Sequence, residues 1–149
     1  MLAQIDGEQP NTSDHKVTFV FGHTHKPFER HQSFDGFAQP VTMFNTGGWV
    51  VDTTSVNEMQ GAAVVLVDDQ ANAVSVRLYN QSDDPASYAV RLAPDPTGGP
   101  NELHDHLSSS LDLNAEPWTS FSSAVADAVR QRHEALPKII SNAMADPVA

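Results

Sequence analysis

Cysteine is absent from the 149 residues, and with it go disulfides, thiolate metal sites and thiol nucleophiles. Any metal held by this chain must take imidazole, carboxylate, amide oxygen or water as ligands, which narrows the candidates to Mn, Fe or Zn. Positive charge is scarce too: 8 basic residues stand against 19 acidic ones, lysine occurs only at Lys16, Lys26 and Lys138, and the net charge is -11. A surface of that sign repels nucleic-acid backbones and anionic membranes, so the charge counts against non-specific nucleic-acid binding. No run approaches the roughly 18 apolar residues of a membrane span. The start Met1-Leu2-Ala3-Gln4-Ile5-Asp6 has neither a basic region nor a continuous apolar stretch, so the expected location is cytoplasmic. A Gly-rich phosphate loop, a Gly-any-Ser-any-Gly elbow and a Ser-His-Asp set are also missing.

What is present reads as one domain at most. Residues 1–16 form a polar lead-in with Pro10, Asn11, Ser13 and Asp14. The short β-branched and aromatic run 17–21 predicts a strand buried on both faces. A loop follows around Lys26-Pro27 and Phe34-Asp35-Gly36, then a strand over 41–44, a break at Asn45-Thr46-Gly47-Gly48, and a resumed strand at Trp49-Val50-Val51. Residues 62–67 predict a third, buried strand. Val74, Val76 and Leu78 alternate with polar neighbours as a fourth, joined to it through a turn at 68–72. The stretch 81–117 is rich in Pro and Asp and reads as a linker with one possible edge strand at 88–92. Over 118–149, Phe121, Val125, Ala128, Val129 and Leu136 recur at helical spacing, and Pro137 is expected to bend or end that helix before Ile139-Ile140. The expected class is α/β, or α+β for these residues alone, with mainly antiparallel strands and a C-terminal helix.

The chemistry concentrates at Gly22-His23-Thr24-His25, where the first strand stops. In an extended segment residues i and i+2 point to one side, so His23 and His25 can serve one metal or two adjacent ones. The carboxyl end of a strand is also where ligand-bearing loops of α/β sheets gather. Taken with Val20-Phe21 before it, Lys26-Pro27 after it and Phe44-Asn45-Thr46-Gly47-Gly48-Trp49 beyond, the block resembles the C-terminal end of calcineurin-like metallophosphoesterases over residues 17–80.

The resemblance implies part of that family's β-sandwich and the hydrolysis of phosphate mono- or diesters by a dinuclear metal centre. His23 is then a ligand of the second metal and His25 of the first, both neutral, with Thr24 given no role and residues 45–48 forming a supporting loop. The family's other ligand blocks, Asp-any-His, Gly-Asp and Gly-Asn-His, are nowhere in the chain. Two histidines do not hold two cations, and a catalytic zinc alone takes about three protein ligands. The expectation is therefore a C-terminal part that is inactive alone and needs an N-terminal half, from the same or a separate chain, to act on a phosphate ester.

Other residues invite weaker readings. Glu102, His104, Asp105 and His106 form a tempting cluster, but in a stretch with no strand or helix predicted to fix it. His31 reads as a surface-loop residue, His133 as solvent-facing, and Trp49 and Phe44 as core. Lys26 and Arg30 lie near enough in sequence to attract a substrate phosphate. Two rival functions stay open: a non-catalytic interaction module whose exposed sheet pairs with a partner, and a mononuclear metal-binding β-domain using His23, His25 and His31.

Overall fold

The β-branched and aromatic runs separate into two small sheets rather than one. The computed structural model describes residues 14–82 and 89–145. Most of the lead-in, Pro85, Tyr88 and the last four residues lie outside them. The first sheet holds β1 (Thr18–Phe21), β2 (Phe28–Gln32) and β3 (Val41–Asn45) in the order β1-β3-β2. β1 runs parallel to β3 with Phe21 opposite Asn45, and β2 runs antiparallel to β3 with Phe28 opposite the same Asn45. This registry brings the end of β1, the start of β2 and the end of β3 to one edge of the sheet.

β2 was expected as loop. Its Phe28 ring meets Phe21 of β1 edge-on at 5.8 Å between centroids, a contact that local composition does not announce, and Arg30, two residues on, stacks on Phe28 at 5.4 Å. β1 is not buried on both faces as expected: Val20 and Phe21 are 49% and 40% exposed, because β1 is an edge strand with nothing beyond it among the described residues.

The second sheet is antiparallel and contains β4 (Asn57–Val67), β5 (Ala73–Gln81) and β6 (Arg91–Leu92), with β5 in the centre. The predicted turn is there. The Asp68 carboxylate accepts from the backbone of Gln70 and Asn72 and from the Asn72 amide, Ala71 takes a left-handed φ of 58°, and the Asn72 side chain leads the hydrogen bonds that hold the Asp68 carboxyl below its usual range. β4 is longer than predicted and only partly buried. Ala62 and Ala63 are inside, while Val64, Leu66 and Val67 are exposed. No strand resumes at 49–51, where the backbone is irregular.

Two helices complete the chain. The supposed linker contains α1 (Glu102–Ser110), which starts because Asn101 accepts the His104 N–H at 3.0 Å and Glu102 and Asp105 face the positive end of the helix. α2 (Trp118–Ala145) does not end at Pro137: a proline deletes one backbone bond from a helix of 28 residues, and Leu136 is packed beside it. α2 sets Ala126 and Val129 on Ala62 and Tyr79, with Val51 and Val125 at the margin. The fold is thus mixed α/β, with a three-stranded mixed sheet, a three-stranded antiparallel sheet and two helices. No helix among the described residues is long and apolar enough to cross a membrane.

Candidate functional site

The strand registry determines where the histidines lie. Thr46 N–H donates to Phe21 O at 2.7 Å and His23 N–H to Gly47 O at 3.0 Å, so the turn after β1 and the loop after β3 are zipped together at the sheet edge. His23 and His25 are not on an extended segment, which corrects the alternation argument. Both take left-handed backbone conformations, φ 79° and 59°, a region that costs a non-glycine residue roughly 1 kcal/mol or more. Turning left twice brings the imidazoles to 6.4 Å between ring centres, nearly perpendicular. Two imidazoles on one tetrahedral ion stand about 5 Å apart for metal–nitrogen bonds of about 2 Å.

The supporting loop is built around Asn45, which is 1% exposed. Its Oδ1 accepts the Gly47 N–H at 2.8 Å and its Nδ2 donates to Thr24 Oγ1, so one amide ties the two turns together and Thr24 acquires a role as acceptor. Gly47 has φ 72°, and a Cβ there would lie 2.2 Å from Gly61 O. A Cβ on Gly48 would lie 2.5 Å from His25 Cδ2, so the imidazole rests flat against glycine backbone. From the second sheet, Gly61 N–H donates to His25 O at 2.9 Å, Ala63 N–H to Thr46 O at 2.8 Å and Tyr79 Oη to Gly48 O at 2.7 Å. Both histidine side chains remain open, His23 exposed and His25 21% exposed.

Asp52 is the neighbour that the sequence did not reveal. Its Oδ1 lies 3.4 Å from His25 Nδ1, and burial followed by the Asp52 charge raises the Tyr79 hydroxyl above its ordinary range. No spacing rule links residues 25 and 52; only the irregular course of 49–52 brings them together.

As ligands for a metal pair, the donors fit in kind, being adjacent imidazoles on a rigid turn, and fall short in number. Among the described residues no three His, Asp or Glu side chains gather around one point.

The remaining candidates are elsewhere. His31 is on β2, not in a loop, and its Nδ1 meets Thr42 Oγ1 at 2.9 Å. That register is three residues, about 10 Å, from the Phe28, Asn45 and Phe21 row that ends the sheet, and the histidine turn lies beyond it. His104 and His106 are on α1, correcting the expectation that nothing orders them, and the residues there do not converge. His133 is not solvent-facing: both ring nitrogens are buried without a hydrogen-bond partner. Phe44 is core, but Trp49 is 56% exposed beside Tyr79. Arg30 is engaged with Phe28. No family model, curated protein or solved structure matches the chain.

Proposed function

We propose that the chain is the C-terminal part of a calcineurin-like metallophosphoesterase, supplying His23 and His25 to a Mn, Fe or Zn pair that hydrolyses phosphate mono- or diesters. The observation that carries this reading is the pair of left-handed histidines, held 6.4 Å apart on a turn that the buried Asn45 ties to the glycine loop. Backbone strain of this kind persists where surrounding contacts over-determine it, and such places cluster at functional sites. A metal pair supplies charge neutralisation and an activated nucleophile at phosphorus when bound. This chain's own residues orient two donors and keep their rings apart. The remaining ligands, carboxylates above all, come in this reading from an N-terminal half.

The edge of β1, unpaired among the described residues and with Val20 and Phe21 half exposed, supports a place for that half to dock, since an open strand edge recruits another strand. The mononuclear alternative is short of its third ligand, because among the described residues His31 does not gather with His23 and His25 around one point. The test joins this chain to the polypeptide encoded immediately upstream and measures hydrolysis of p-nitrophenyl phosphate and its bis-ester with Mn2+. Activity that disappears in His23→Ala and in His25→Ala supports the reading. Activity indifferent to both substitutions overturns it; an upstream sequence without Asp-any-His, Gly-Asp and Gly-Asn-His moves the same test to a separate chain that carries them.

A further inference from the structure

Resting on the metal-ligand reading above, we infer that Asp52 is a positioning residue that fixes the tautomer of His25, keeping the proton on Nδ1 and the lone pair on Nε2. The residue is anchored by its backbone carbonyl, which accepts from Gly61, and two contacts flank its imidazole: the ring lies against Gly48, and Nδ1 lies 3.4 Å from Asp52 Oδ1. That separation exceeds a made hydrogen bond and closes with a small rotation of either side chain. Among the described residues, no other polar side chain is recorded on either ring nitrogen of His25, and Asp52 has no competing hydrogen-bond partner. A neutral imidazole with a carboxylate beside Nδ1 places its hydrogen there, because the alternative tautomer turns a lone pair toward a negative charge. An Nε2 lone pair is what a metal takes, and a carboxylate behind the other nitrogen is the recurring outer partner of metal-binding histidines. Among the described residues His23 has no equivalent partner, so the two ligands differ in how firmly they are prepared.

The test reads the 15N shifts of the His25 ring in the metal-free chain at a pH of about 8, above the ordinary histidine range. The expected result is Nδ1 at the protonated, pyrrole-type shift and Nε2 at the pyridine-type shift, with the preference lost in Asp52→Ala and weakened in Asp52→Asn, whose neutral amide can accept from Nδ1 or donate to it. A thermal melt of each variant separates this from general damage: the tautomer moves while the melting temperature stays. Nε2 protonated in the unsubstituted chain, or an Asp52→Ala chain with the same tautomer, overturns the inference. Neither outcome depends on hydrolysis, so the phosphoesterase reading stands or falls separately.

Discussion

The chain contains two His-any-His pairs, and they meet opposite fates. His104 and His106 lie on α1, where successive residues turn by about 100°, so the two side chains leave the helix on nearly opposite sides. His104 Nδ1 meets residues of its own helix, Ser108 Oγ at 3.5 Å and Asp105 at 4.0 Å. His23 and His25 have the same spacing, but each adopts a left-handed conformation, and backbone and side-chain bonds from β3, β4 and β5 hold the turn. Spacing makes a metal-site candidate only once a backbone conformation is attached to it, and that conformation comes from distant residues.

The comparison can be broken most severely at Gly47. Gly47→Ala places a methyl group 2.2 Å from Gly61 O at positive φ, and a loss of about 3 kcal/mol or more is expected in a denaturant melt. Asn45→Ala removes two hydrogen bonds from a buried amide, and about 2 kcal/mol is expected to go, together with the closeness of the two rings, read as loss of the nuclear Overhauser contacts across the histidine turn.

A milder challenge to the same region is alkaline pH. The Tyr79 hydroxyl is raised above 10.0 by burial and then by Asp52, so its contribution to stability is whole below that value and declines as pH rises from there through the folded-state pKa. Tyr79→Phe is expected to flatten that alkaline decline in melts at successive pH values. On the helical side, Asn101→Ala removes the cap of α1 and is expected to cost about 1 kcal/mol without moving the His23 or His25 ring resonances. His104→Ala and His106→Ala should change stability by less than about 0.5 kcal/mol and leave metal-dependent hydrolysis by the joined protein intact.

Much of the sheet structure was legible because it is local. The runs at 17–21, 41–44, 62–67 and 74–78 and the turn at 68–72 carry β-branched residues and Asx chemistry that act over a few positions. β2 was hidden because Phe-Glu-Arg-His-Gln is polar, and its pairing depends on β3 and on the Phe21 ring. α1 was hidden because proline and aspartate around it set the tone of the whole stretch, while a single asparagine starts the helix. The histidine pair and its glycine loop could be named from the motif. The Thr24 acceptor and Asp52 could not, since each becomes a neighbour only through strand registry or an irregular chain path.

The two sheets meet at the Gly47 and Ala62 bridge, beside the loop that carries the His25 ring on its backbone. That seam makes the ligand geometry a report on how the whole molecule is assembled: a shear of one sheet on the other strains the same few amides, together with the Arg77 guanidinium that reaches Pro27 O and Glu29 across it. The exchange rates of the Gly61 and Ala63 amide protons therefore serve as a gauge of imidazole alignment. Any agent that loosens the seam should blur both rings together, long before either sheet melts.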